Sequence, residues 1–414
     1  MIILGINETS HDASVSLIKD GEILFSGHAE RYSKQKNDWY NNKDIYLDLL
    51  NYGTPTHIAY YEHPQLKRSR IFLKGGAADW KPNISMDSFG LFYSAFTQLV
   101  GLKPNEEEYI FMGMAAYGDW SKYFLKVNEY FPDLQKQKYN FHKGIFDWDM
   151  PITEQDKFDI AAAVQRVYEN RLVNFMSMAQ KLTGKRNLVF MGGCALNCAA
   201  NTMLWRMFDD VWIMPNPGDA GSSLGAAAAF YGKHLNWKSP YLGHDLGGEY
   251  PVNQIITSLI RDKVAAVATG RAEYGPRALG NRSIFADPRD PLIKDKVNLI
   301  KKRELFRPFA PVVMEEHADK WFDMRFSSPY MQYAVKCLRP DKIPSVVHKD
   351  GTSRVQTVNR QQHPGLYEVL SNWYTMTGVP ILLNTSLNIK GQPLLNDEKD
   401  ITAWENTYNF TICR

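Results

Sequence analysis

Apolar residues in the first part of the chain come in short runs. IILGI (2–6), ASVSLI (13–18) and EILFS (22–26) each have the length of a strand. Asp20-Gly21 between the last two is a hairpin signal, because both residues tolerate positive φ. A polar loop from Asn7 to Asp12 joins the first pair, and HIAYY (57–61) predicts one more short strand. The spacing then lengthens. Aromatics three and four apart between Asp87 and Val100 predict a helix, with Phe89 to Phe96 facing the core. A second, longer helix is predicted from Glu154 to Leu182, stopped by Gly184. NLVFM (187–191) reads as a buried strand running into the turn Gly192-Gly193 and a small-residue helix. VWIMP (211–215) followed by NPGDAGSSLGAAAAF repeats the idea. Strand, glycine turn and small-residue helix, twice over, predict an α/β fold with backbone amides at helix N-termini. Beyond Gly232 to Gly248, where periodicity lapses among Trp, Pro, Tyr and Gly, VAAVAT (264–269) and PILLN (380–384) read as strands. That lapse suggests two domains, 1–240 and 245–414.

Composition narrows the classes. A chain of 414 residues suits two cores. No stretch of eighteen apolar residues predicts a membrane span. The opening MIILGINETSHDAS lacks the basic start of a signal peptide, so a cytoplasmic protein is expected. Net charge of +3, from 48 basic and 45 acidic residues, excludes a strongly basic nucleic-acid coat protein but leaves room for a local cationic groove. Cys194 and Cys198 have no further ligand pair nearby, so they, Cys337 and Cys413 read as free thiols rather than zinc ligands.

Chemistry concentrates late in the chain. EYGPRALGNRS carries Arg277, Asn281, Arg282 and Ser283; KKRELFRPFAP carries Lys301 and Arg307. DGTSRVQTV adds Arg354, and LLNTSLNIKGQP adds Asn384, Thr385, Ser386 and Lys390. These cations stand among Gly, Pro, Asn and Thr instead of on helices with acidic partners at i+4. As a set they point to ligand phosphate or carboxylate oxygens. Any one alone reads equally well as a solvated charge. In GDAGSSLGAA, Asp219 opens a helix and reads either as a metal ligand or as an N-cap. His11, beside Asp12, is a candidate general base or a turn-capping residue. The basic run HPQLKRSRIFLK, with Lys67, Arg68, Arg70 and Lys74, suits either phosphate tracking or a solvated loop.

The words GINETSHDASVSL, FMGGCALNCAANTMLW, MPNPGDAGSSLGAA, GPRALGNRSIFADPRDP, LFRPFAPVV, DGTSRVQTV and GVPILLNTSLNIKGQP occur in this order along nearly the whole chain. Together they resemble the NodU/CmcH family of O-carbamoyltransferases, which includes nodulation-factor, cephem and aminoglycoside carbamoylating enzymes. The resemblance implies an actin-like (Kae1-like, ribonuclease-H-like) domain followed by a YrdC-like α/β domain. It implies ATP and carbamoyl phosphate as co-substrates, a carbamoyl-adenylate intermediate and transfer to an acceptor hydroxyl. By that pattern Lys301, Arg307 and Arg354, helped by Ser386, bind carbamoyl phosphate. Arg277, Arg282, Ser283, Asn384 and Lys390 are placed in the same ATP-binding pocket. His11 with Asp12 would activate the acceptor, and Gly192, Gly193, Asn197 and Gly221 would meet the adenylate. Asp219 would hold a divalent metal, Mg or Fe.

One departure stands out. Relatives carry a histidine-rich H-H-x-x-H-A segment and a D-G-x-G turn after the strand equivalent to HIAYY. Here the stretch from Tyr61 to Asp87 is short, basic and contains neither. The acceptor is expected to be a small hydroxylated metabolite or a hydroxymethylated pyrimidine of a nucleotide or DNA, with no membrane partner; a homodimer is compatible with this. Two other readings remain: a non-catalytic nucleotide-binding protein derived from the family, and a threonylcarbamoyl-type tRNA-modifying enzyme.

Overall fold

Four large apolar residues in six make Ile2–Asn7 (β1) a central strand. It pairs antiparallel with β2 (Ser14–Lys19), which pairs antiparallel with β3 (Glu22–His28). The hairpin between them turns at Asp20 and Gly21, with φ of 51° and 93°, as their residue types allow. After α1 (Glu30–Ser33) and α2 (Lys43–Leu50), β4 (His57–Tyr61) joins β1 in parallel and completes the order β3-β2-β1-β4. The computed structural model describes residues 1–8, 11–61, 68–70, 85–132 and 139–414, with 68–70 and 85–87 through their backbone alone. The chain divides into two compact units, one joining Met1–His63 to Met214–Arg414, the other spanning Pro64–Ile213.

The second unit holds the antiparallel pair β5 (Arg68–Arg70) and β6 (Ser85–Asp87), and the helices α3 (Phe89–Leu99), α4 (Glu108–Met114), α5 (Trp120–Tyr130) and α6 (Glu154–Thr183). A capping box between Thr153 and Asp156 starts α6, and Gly184 in the left-handed region ends it. Phe89, Phe92 and Phe96 are buried as expected, edge-on to neighbouring rings such as Phe131 and Tyr168. Then follow β7 (Asn187–Val189), α7 (Cys198–Asn201) and β8 (Asp210–Trp212). The buried strand expected over NLVFM is a correction: β7 has only three residues, and Val189 is 67% exposed. It pairs with β8 alone in a two-stranded ribbon, so no wider sheet encloses it among the described residues.

Returning to the first unit, α8 (Ser222–Tyr231) is laid on β1. The approach is so close that a Cβ on Gly5 would lie 1.9 Å from the Ser223 carbonyl oxygen. Ser223 Oγ is meanwhile shared by Ser14 and Ser16 on β2 at 2.9 and 2.8 Å. Ile3, Ile18, Leu224 and Ala227 fill this side, while Leu4, Val15, Leu17 and Phe25 pack with Ile45 and Leu49 of α2 on the other.

The rest of the unit runs β9 (Tyr241–Asp245), α9 (Val252–Asp262), β10 (Val264–Ala268), β11 (Arg271–Glu273), β12 (Arg282–Ala286), α10 (Ile293–Ile300) and β13 (Ala310–Met314). It continues with α11 (Ala318–Trp321), β14 (Tyr333–Lys336), β15 (Thr352–Val358), α12 (Pro364–Thr377), β16 (Ile381–Ser386), α13 (Glu398–Tyr408) and β17 (Ile412–Cys413). Seven of these strands form a mixed sheet in the order β14-β15-β13-β16-β12-β10-β17. The segment expected to join the two parts contains β9, which pairs with β11. One face of the large sheet, with Val267, Phe285, Leu382, Val312, Met314 and Val358, buries the apolar sides of α9 and α12. The fold is thus mixed α/β. The four cysteines are free; Cys198, Cys337 and Cys413 are buried and Cys194 is half-buried.

Gly5→Ala is expected to lose about 1–3 kcal/mol or more of unfolding free energy, because a methyl group there meets backbone that can yield only by moving α8. Urea unfolding measures it, and an unchanged midpoint would contradict the close approach.

Candidate active site

Two groups of polar side chains stand out in the first unit. The first forms where β1 ends. Asn7 is fully buried, and its Nδ2 donates to two backbone carbonyls, Asp12 at 3.0 Å and Asp219 at 3.1 Å. One turn carries His11, the other Asp219. His11 Nδ1 lies 2.9 Å from Asp12 Oδ2, and its Nε2 lies 3.3 Å from Asp219 Oδ2. Asp12 adopts φ of 67°, a region that Asp enters more readily than most residues. Gly221 follows Asp219 with no room for a side chain, since a Cβ would sit 2.3 Å from the Asn216 carbonyl oxygen. Tyr61 stands opposite Asn7 on β4. Its hydroxyl is held above the ordinary tyrosine range by burial and by the Asp219 charge, with Ser222 opposing. An imidazole held on both sides by carboxylates has a fixed ring plane and a route for passing a proton.

Asp219, the residue expected to hold a divalent metal, faces the His11 ring. Asp12 holds His11 Nδ1 at 2.9 Å, and Asp219 approaches Nε2 at 3.3 Å, so Nε2 is the ring nitrogen placed to exchange a proton. Among the described residues no three His, Cys, Asp or Glu side chains are grouped to hold an ion. The family's histidine-rich segment would fall after Tyr61, a stretch that lies mostly outside the described residues, as do His63, Lys67 and Lys74 and the side chains of Arg68 and Arg70.

The second group is cationic. Lys301 follows α10 and is only 6% exposed. Its Nζ donates to the Ser386 carbonyl, to Ser386 Oγ at 3.2 Å and to Asn388 Oδ1 at 2.7 Å. Burial pushes its pKa well below the lysine range, and Arg303, Arg307 and Lys36 press in the same direction. Three acceptors suit an ammonium, whereas burial and like charges oppose it. An entering anion would relieve that conflict. Arg303 lies over the Phe309 ring at 4.4 Å and donates to Asn298 Oδ1 at 2.6 Å. Burial would raise the Glu304 carboxyl, but its own backbone N–H, Arg307 and Lys390 hold it below the usual range. Arg307 and Lys390 therefore flank one carboxylate. Arg354 adds to the forces on His348, which burial takes down to about 4 against the pull of Asp350.

Sheet register gathers more of the expected residues. Ser283 is opposite Ser386, Asn384 opposite Ala310, and Val312 opposite Gln356. Residues two apart share a face, so Ser283, Arg354, Gln356, Asn384 and Ser386 form the polar end of the face that elsewhere carries the core. Asn384 Nδ2 reaches Gln356 Oε1 at 2.7 Å across β13, where Ala310 is small enough to allow it. Asn384 also donates to the Ala278 carbonyl at 3.2 Å, and Gln356 to that of Leu279 at 2.9 Å. Half-buried Arg277 precedes these anchors in the same loop.

Arg282 stands apart. It is fully buried, and its guanidinium donates to five backbone carbonyls: Thr269, Asn281, His244, Gly270 and Asn396. Burial lowers its pKa to about 10, against the pull of Glu273. Glu273 Oε1 accepts from the N–H groups of Leu279, Asn281 and Arg282 at 2.8, 2.9 and 3.1 Å. Arg282 thus props the loop that bears Arg277 by holding backbone carbonyls around it. Of the residues expected to meet the adenylate, Gly192, Gly193 and Asn197 belong to the other unit. Gly192 takes φ of 96° with open space around it, as has Gly193. The Asn197 amide is engaged with Gln165 in both directions and caps α7 through Ala200 N.

Family models described as carbamoyltransferase N-terminus and carbamoyltransferase C-terminus match residues 56–228 and 256–412. The chain is 34% identical over 381 residues to nodulation protein NolNO of Sinorhizobium fredii and 33% over 368 residues to nodulation protein NolO of Bradyrhizobium diazoefficiens. The chain belongs to the carbamoyltransferase family. Those alignments cover 80% and 78% of this carbamoyltransferase-family chain, and 56% and 67% of the respective relatives. Nodulation protein U of Rhizobium tropici is 38% identical over 269 residues, covering 59% of this chain and 46% of that protein. The C-terminal match contains the whole cationic group except Lys36, and the N-terminal match contains Tyr61 and Asp219.

Arg282→Ala leaves carbonyls and Glu273 buried without their cation and is expected to cost about 3–5 kcal/mol in urea unfolding. Arg307→Ala is expected to stay within about 0.5 kcal/mol while losing affinity for inorganic phosphate. For Lys301, an anion favours the ammonium, and the lowered pKa means the ammonium is lost at lower pH than in an ordinary lysine. Phosphate affinity measured by calorimetry is therefore expected to fall as pH rises through that lowered pKa, with proton uptake on binding. Lys301→Met is expected to abolish the uptake.

Proposed function

We propose that the protein is an ATP-dependent O-carbamoyltransferase. It makes carbamoyl-adenylate from carbamoyl phosphate and ATP at the cationic group, and transfers the carbamoyl group to a hydroxyl near His11. The observation that carries this reading is Lys301: a buried ammonium site crowded by Arg303, Arg307 and Lys36. Two phosphorylated substrates in one pocket bring several negative charges, and their repulsion is offset only by such a concentration of cations. Water cleaves the P–O bond of carbamoyl phosphate, releasing phosphate and carbamate. A carbamate oxygen attacks the α-phosphorus of ATP, and pyrophosphate leaves. The acceptor hydroxyl then gives its proton to His11 and attacks the carbamoyl carbon, and AMP departs.

The strand order β3-β2-β1-β4, with β4 parallel to β1, supports an actin-like reading of the N-terminal part. The mixed sheet after it suits a YrdC-like adenylating part, and dependence on intracellular phosphorylated donors suits the cytoplasm. The acceptor is a small hydroxylated metabolite or a hydroxymethylated pyrimidine of a nucleotide or DNA.

Exchange of labelled pyrophosphate into ATP, dependent on carbamoyl phosphate, reports the first stage; labelled carbamate ester on the acceptor reports the second. Arg354→Ala is expected to abolish exchange, and His11→Ala to keep exchange while blocking transfer. Absence of exchange in the unaltered protein would overturn the proposal, and equal loss of both stages in His11→Ala would remove the role given to His11. Losing an anion-pairing arginine is expected to cost on the order of 2–5 kcal/mol in donor affinity.

A further inference from the structure

We infer that Asn7 is a positioning residue for the transfer step, setting the distance between His11 and Asp219; this rests on the proposed function. Its side chain is completely buried at the end of β1. A single amide nitrogen bonds both the Asp12 carbonyl and the Asp219 carbonyl, residues more than two hundred positions apart in sequence. The turns carrying the imidazole and the facing carboxylate are therefore pinned to one small planar group. Asn7 is itself fixed from three sides. Ser14 and Tyr61 pair with it on either strand, and Asn41 Nδ2 donates to its carbonyl at 3.1 Å.

The geometry demands an amide. Both contacts accept, so the side chain must donate twice from one atom, which Asp and Leu cannot do and Ser can do only once. Asn7 touches no reacting atom in this arrangement. Its influence runs through the separation of His11 Nε2 from Asp219 Oδ2, 3.3 Å as it stands. A shift of about an ångström in such a pair is enough to cost on the order of a hundredfold in rate.

Three measurements on the full chain test this. In Asn7→Ala, transfer of the carbamoyl group to the acceptor is expected to fall about a hundredfold, with pyrophosphate exchange and the acceptor KM within about twofold. Ser26→Ala, which removes a buried hydroxyl bonded to Ser16 at 2.9 Å in the same sheet, serves as the control for lost stability. It is expected to lower Tm while leaving both partial reactions unchanged. A crystal structure of Asn7→Ala is expected to show His11 Nε2 and Asp219 Oδ2 more than 4 Å apart. An unaltered separation overturns the inference, as does proportional loss of both partial reactions. Where the unaltered protein catalyses neither stage, the transferase reading falls, and the crystal structure still decides what Asn7 holds.

Discussion

The contact between the Ser223 carbonyl and Gly5 sets the layout of the N-terminal site. A helix resting on a strand with no side chain between them brings Asp219, just before that helix, level with the end of β1. Any bulkier residue at position 5 would lift α8 and carry Asp219 away from His11. The shared Ser14–Ser223–Ser16 hydrogen bonds fix the same helix laterally, and Asn7 then ties the two chemical turns together. A carboxylate and an imidazole from distant parts of the chain face each other because backbone meets backbone first.

The cationic group follows a different logic. One face of the seven-stranded sheet changes character along its length, from Val267, Phe285, Leu382 and Val312 to Ser283, Asn384, Ser386 and Arg354. The apolar end is rigid because two helices cover it. The polar end inherits that rigidity and presents side chains that have little freedom to lose when a ligand arrives. Lys301 reaches this end from α10, and the cost of burying its charge beside two arginines is tolerated by a fold with so large an apolar core. Such conflict between charge and burial is common at sites built to receive an opposite charge.

Arg277 and Arg282 show why a motif does not by itself assign roles. They are five residues apart in GPRALGNRS, yet one is half-buried in a loop while the other sits beneath it, bonded to carbonyls from three other segments. The Glu273 carboxylate, accepting from the N–H groups of Leu279, Asn281 and Arg282, folds the loop back on itself between the two cations. NLVFM illustrates the same limit for strands: its apolar run does not reveal that it pairs with a single partner.

The sequence by itself determined the local elements and the family. The Asp20-Gly21 turn, the strand HIAYY, the capped helix ending at Gly184 and the buried VAAVA strand all follow from residue-level preferences over a few positions. It also named most of the residues now found together, His11 with Asp12 and Asp219, and Lys301 with Arg307 and Ser386. Only the tertiary structure decided that Arg282 is wrapped in backbone carbonyls, that Asn7 bonds the Asp219 turn and Asn388 bonds Lys301, and that residues 1–63 and 214–414 form one compact unit. Those outcomes depend on register and on which carbonyls a buried donor meets. Such quantities are set by long-range pairing, and no local pattern of apolar and polar residues encodes them.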